Sequence, residues 1–198
     1  MNFYYYFNIY IIFLFLNLIF GNSEINCGTQ IIDNNSFKLD EILSKNKESK
    51  NYTYNNREDY WSPISFHIVR NSNADGGVPL YRLDQGMSDL NLIYDNANLH
   101  FYQISYDYID SDTYVEIDNY NELSVLRQLN VVENSINIYI VSSLAPGEEE
   151  LCGISTFVNS EEQGIVMAED CFALPDNPST LSHEVGHYFN LLHTHTGS

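Results

Sequence analysis

The stretch that most constrains this chain runs Leu181-Ser182-His183-Glu184-Val185-Gly186-His187-Tyr188-Phe189-Asn190-Leu191-Leu192-His193. It holds the pattern H-E-x-x-H and then a third histidine. On an α-helix each residue advances by about 100°, so His183 and His187 stand about 40° apart on one face, one turn above the other. Two imidazoles so placed can grip a single zinc ion. Glu184 lies about 60° round from His187, beside such an ion rather than on it, where a carboxylate can take a proton from water. His193 falls beyond the expected helix end and returns as a third ligand only if the chain turns sharply. Asn190 sits where that turn is needed, and Asn tolerates the left-handed conformation that ends helices.

Chance alone produces H-E-x-x-H in about one chain in a hundred of this composition, and the third histidine makes the set rarer still. The plain alternative is an amphipathic helix with surface histidines. His195 is a substitute third ligand at a less suitable spacing. His67 and His100 are isolated in sequence, and a structural role is expected for both.

A length of 198 residues suits one domain with short additions, and 44% hydrophobic content is enough for a core. The net charge of −19 argues against binding a nucleic-acid backbone. Five of the eight basic residues (Lys38, Lys45, Lys47, Lys50 and Arg57) precede residue 60, so the later chain is strongly acidic. A soluble, self-repelling surface explains this adequately; a cleft favouring basic peptides is the sharper alternative.

Three segments follow. Residues 1–23 read as a signal peptide: Ile9 to Phe20 is nearly unbroken apolar sequence, short for a bilayer span, with Gly21 and Ser23 offering small residues for cleavage. No Lys or Arg precedes it, and an uncleaved membrane anchor is the alternative. Either route places the rest outside the cytosol, with no stable membrane span expected after cleavage. Residues 24–60 are a polar pro-segment or linker that cannot bury a core of its own. It carries glycosylation patterns at Asn34 and Asn51, and one cysteine, Cys27. A thiolate is a strong zinc ligand, so Cys27 can close the open position of a metal site and hold it latent; an ordinary cysteine is the alternative.

Residues 61–198 form the candidate catalytic domain. Apolar alternation predicts strands at Pro63–Arg70 and Leu99–Ile109, with further strands at 136–141, 153–158 and 165–168. A helical period covers Leu83–Asn98, and Leu123–Leu129 is a short helix. Residues 110–122 are acidic and aromatic; a solvated loop is expected over a calcium site, since the spacing fits no defined loop. Asn177 or Ser179 is the expected cap of the last helix, with Pro178 at its first position. The order predicts an α/β (α+β) domain, a twisted mixed sheet of about five strands with a backing helix. Three cysteines are an odd count for a secreted chain. Pairing Cys152 with Cys171 closes a loop of about 20 residues, worth roughly 3 kcal/mol, and leaves Cys27 outside the pair.

The zinc stretch resembles the metzincin clan of metalloproteases, with signature H-E-x-x-H-x-x-G-x-x-H. His183 to Tyr188 with Leu191, His193 and Thr194 look like the cytophagalysin/pappalysin family. So do Asn137 to Val141, Cys152 to Phe157, Gly164 to Met167 and Cys27-Gly28-Thr29. The resemblance implies a secreted zinc-dependent metalloendopeptidase. In it His183, His187 and His193 hold Zn2+, Glu184 is the general base, Cys27 is a latency ligand, and a peptide substrate lies along an antiparallel edge strand. Two departures stand out. The signature glycine is Asn190. The lower subdomain with its methionine turn is absent from the given sequence, where Met1, Met87 and Met167 all precede the helix. A catalytically inactive zinc- or peptide-binding remnant is therefore the alternative.

Overall fold

The computed structural model describes residues 27–28, 58–158 and 160–193. The signal segment, both glycosylation patterns, Thr194 and His195 lie outside the described residues.

The chain builds one twisted sheet from β1 (Tyr60–Arg70), β2 (Leu99–Asp110), β4 (Ile136–Val141), β6 (Gly153–Ser155) and β7 (Ile165–Ala168). Their order across the sheet is β2-β1-β4-β7-β6. All neighbours run parallel except β6, which is antiparallel to β7. This is the expected five-stranded mixed sheet with an antiparallel edge. A small parallel pair, β3 (Glu116–Ile117) with β5 (Ser143–Leu144), extends the second face. Helices α1 (Tyr81–Tyr94) and α3 (Thr180–Tyr188) pack on the first face, and α2 (Tyr120–Leu126) on the other.

Strand alternation explains the two layers. In β1, Ile64, Phe66 and Ile68 point into a core shared with Leu83 and Leu90 of α1 and Leu181 and Val185 of α3. Val69 points the other way, toward Leu123 and Leu126 of α2 and Tyr139 of β4. Both faces are covered, so β4 is buried along its whole length, as parallel central strands generally are. Each such buried aliphatic or aromatic side chain contributes roughly 1.5–3 kcal/mol.

His67 is buried in the middle of the sheet. Its Nδ1 lies 2.5 Å from Asp107 Oδ1 and its Nε2 3.0 Å from Asn137 Oδ1, and its ring stacks on Tyr139. His100 lies near the sheet margin, 3.6 Å from Asp59, with its ring 4.8 Å from that of Trp61. Neither belongs to the histidine cluster described below.

Several boundaries differ from expectation, each for a local reason. Helix α1 stops at Tyr94, earlier than Asn98, because a 3-10 turn follows over Asp95–Ala97 and Asn98 adopts a left-handed conformation. Helix α2 starts at Tyr120 rather than Leu123, because Asn119 caps it by accepting from the amides of Asn121 and Glu122. The strand expected over 153–158 ends at Ser155. Helix α3 begins at Thr180 with Ser179 as its cap, so Pro178 lies outside the helix and Asn177 is not its cap. The acidic residues of 110–122 serve local structure: Asp110 pairs with Arg70, and Asp112 accepts from the Ser72 amide.

Candidate metal centre

Helix α3 is held from several sides, which fixes where its histidines point. Tyr94 of α1 donates its hydroxyl to the Ser182 carbonyl at 2.9 Å. Gly186 allows that approach, since a Cβ there would lie 3.3 Å from the Tyr94 hydroxyl. Tyr188 donates to Gln163 Oε1 at 2.9 Å, and the Tyr188 carbonyl accepts from the Val158 amide at 2.9 Å. These bonds tie the helix end to the loop after β6. Arg82 of α1 donates to the carbonyls of Glu169 and Phe172, anchoring the turn that leads into α3. All of α3 except His183 is buried, as expected of a helix packed within a core.

The helix ends in a turn that serves the site. Asn190 has φ +67°. The Asn190 amide donates to the His187 carbonyl at 2.8 Å, and the Leu191 amide to the Gly186 carbonyl at 2.9 Å. These are the two bonds of a Schellman cap. Asn fills the position usually taken by Gly at a cost of about 1 kcal/mol. The reversal brings His193 back against the helix and turns the Leu191 carbonyl inward, where it accepts from His187 Nδ1 at 2.7 Å. That bond fixes the tautomer: Nδ1 carries the proton, and Nε2 presents its lone pair to the site.

Three Nε2 atoms then converge. His183 and His187 are 3.0 Å apart, His187 and His193 3.0 Å, and His183 and His193 3.1 Å. Nitrogens bound at about 2.0–2.1 Å to one tetrahedral zinc ion sit about 3.3–3.4 Å apart, so the triangle matches that ligand face within a few tenths of an ångström. Burial lowers the tendency of His187 to take a proton; the Leu191 carbonyl opposes this shift and His193 reinforces it. The net shift favours the neutral imidazole of His187, the form a metal site would need.

Cys27 completes the group. Its Sγ and the three imidazole nitrogens all lie within 4.8 Å of one another. The backbone places it there: Cys27 bridges to Gly153 in parallel, and the Gly28 amide donates to the Gly153 carbonyl at 3.0 Å. Cys152 and Cys171 form a disulfide that excludes Cys27.

Glu184 is fully buried, with Gly153 directly against its side chain. A Cβ on Gly153 would fall 2.6 Å from Glu184 Cγ and 2.9 Å from its Oε1. The sequence pattern alone did not single out this glycine. The only signal for it was its place in the run Cys152 to Phe157.

The Gly153 carbonyl faces away from β7, and strand alternation turns the main-chain groups of Ser155 the same way. The site therefore sits under a sheet edge whose polar groups point outward.

No protein-family model and no curated protein matches this chain. Solved structures do resemble it. An alanine-substituted variant of promirolysin from Tannerella forsythia matches with a TM-score of 0.57 at 16% identity, over 85% of this chain and 69% of that one. Mature mirolysin from the same organism, in complex with a cleaved peptide, matches with a TM-score of 0.50 at 16% identity, over 72% and 68% of the two chains. The chain thus has a metalloprotease-like fold.

Proposed function

We propose that this chain is a zinc-dependent metalloendopeptidase of the cytophagalysin/pappalysin type, exported from the cell. The observation that carries the reading is the convergence of His183, His187 and His193 on one point, with Glu184 on the same helix beneath an antiparallel sheet edge. The likeness to mirolysin, which has been seen with a cleaved peptide, supports it. So does the disulfide, which suits an oxidising compartment. No helix among the described residues is long and apolar enough to cross a membrane.

In this reading the three Nε2 atoms hold Zn2+, and His187 is oriented by its bond to Leu191. Zinc, when bound, supplies a Lewis acid that acidifies water and polarises a carbonyl. Glu184 takes the proton from the attacking water and returns it to the leaving amine. A peptide in extended conformation pairs with the outward groups of Gly153 and Ser155 and is thereby oriented across the histidines. Cys27 and Gly28 occupy the same edge, which supports a latency role: Cys27 would serve as a further ligand in place of water when the metal is bound.

The test is zinc content by elemental analysis together with peptide cleavage, with and without chelator. One zinc per chain and chelator-sensitive cleavage, abolished in Glu184→Ala, are expected. Undiminished cleavage by Glu184→Ala overturns the general-base assignment. Zinc binding without any cleavage by the wild type favours the inactive remnant instead.

A further inference from the structure

A buried cation behind the edge strand has no part in the scheme above. Arg127 follows α2 as its C-cap and is only 8% exposed. Its main chain is anchored at both poles: the amide donates to the Leu123 carbonyl, and the carbonyl accepts from the Tyr139 hydroxyl at 3.1 Å. Its side chain reaches past β7 along the same face to the edge strand, where Nη2 donates to the Ile154 carbonyl at 3.2 Å. Strand β7 lies between these two anchors. Gly164, just before β7, leaves the passage open, since a Cβ there would lie 3.4 Å from Arg127 Cγ and 3.2 Å from the Tyr139 ring.

Helix α2 and the residues just after it also grip the loop after β6. Ser124 donates to Glu162 Oε1 at 2.7 Å, and Gln128 Nε2 lies 3.5 Å from the same atom. Burial pushes Arg127 down to about 10, while the carboxylates of Glu162 and Glu184 and the nearby Tyr139 oppose this shift. Among the described residues its Nε is buried without a hydrogen-bond partner. An apolar side chain would fill this space with no orphaned donor. What the arginine adds is a directional bond to the middle residue of a three-residue strand.

We propose that Arg127 is a positioning residue: a guanidinium strut from α2 to β6 that holds the outward main-chain groups of Gly153 and Ser155 in register for a bound peptide. The inference rests on the peptidase reading for its consequence, though not for its mechanics. Strand β6 pairs with β7 over three residues, with one flanking main-chain bond at each end (Ala168 to Cys152, Thr156 to Gly164) and the Cys152–Cys171 disulfide beside it, all of them acting within the plane of the sheet or on its neighbour strand. The strut adds a further constraint from beneath, on the face away from the histidines. Its removal therefore weakens peptide pairing and leaves the metal ligands in place.

The test compares the zinc-loaded full chain with Arg127→Met and Arg127→Lys. Amide hydrogen exchange is followed over 153–156 and over 181–188, and KM and kcat are measured with an internally quenched peptide. In Arg127→Met, exchange over 153–156 rises about tenfold, exchange over 181–188 stays as in wild type, and KM rises about tenfold while kcat falls by less, the loss expected for one charge-assisted bond. Arg127→Lys, which keeps the charge, recovers about half of each effect on a logarithmic scale. Unchanged exchange over 153–156 in Arg127→Met overturns the inference. So does equal loosening of both segments with loss of zinc and of kcat, which would make Arg127 a general stabiliser. If Arg127→Met does not fold, Arg127→Lys decides on the same measurements, with about threefold effects expected and none overturning the strut. If the wild type cleaves nothing, the peptidase reading falls, and the exchange comparison still decides the role of Arg127.

Discussion

Gly153 and Glu184 are packed so closely that the strand residue has no room for a side chain: a Cβ on Gly153 would come within 2.6 Å of Glu184 Cγ. Adding that methyl group forces either the strand or the carboxylate to move. Gly153→Ala should still bind one zinc per chain, because the atoms nearest the added methyl group all belong to Glu184, but its kcat should fall about a hundredfold through the displaced base. Elemental analysis with steady-state kinetics checks this, and wild-type turnover in Gly153→Ala would contradict it.

Cys27 shares its edge with the expected substrate. Cys27→Ala should raise the initial peptidase rate of the intact chain about tenfold or more, since the thiolate no longer competes for the fourth position. In the wild type, zinc should slow alkylation of Cys27 by iodoacetamide. Equal alkylation rates with and without zinc would remove the thiol from the metal site.

The Cys152–Cys171 disulfide brackets β6 and β7 across a sequence separation of 19. Replacing both cysteines with alanine should lower unfolding free energy by about 3 kcal/mol in the loop-entropy account. Urea denaturation of the two proteins measures the difference; a shift below about 1 kcal/mol would show that the unfolded chain gains little freedom from the cut.

Burial depresses the proton affinity of His187 in the folded chain. The unfolded chain takes up that proton near the ordinary value of 6.5, and the folded chain only at lower pH. Between those two points the unfolded state holds more protons, so stability falls as pH is lowered through this window. The contribution is fully present above the unfolded value. Metal-free wild type should therefore lose more stability between pH 7.5 and 5.5 than His187→Gln does. Parallel pH profiles would show that His187 is not the group responsible.

Much of this architecture is legible in the residues. The alternation in 64–68 and the mostly apolar run of 136–141 mark strands, the run because β4 is buried on both faces, and the order of elements yields the five-stranded sheet. The histidine spacing foretells a shared face, and Asn190 foretells the reversal that brings His193 back. Other features depend on contacts far apart in sequence. Arg127 reads as an ordinary charged residue after a short helix; only the fold brings it under Ile154. Gly153 reads as a weak strand residue until Glu184 is seen beside it. The early start of α2 was missed because Asn119 sits in an acidic stretch whose polarity hides its capping role.

The pairing of Cys27-Gly28 with Gly153 has a kinetic consequence. The chain joins this ligand covalently to β1, so the thiol meets the histidine cluster at an effective concentration that dilution does not change. A single cut anywhere in that connection turns an intramolecular equilibrium into a bimolecular one. Dilution then favours release of the cut segment, and the site switches from closed to open without any change in its own residues.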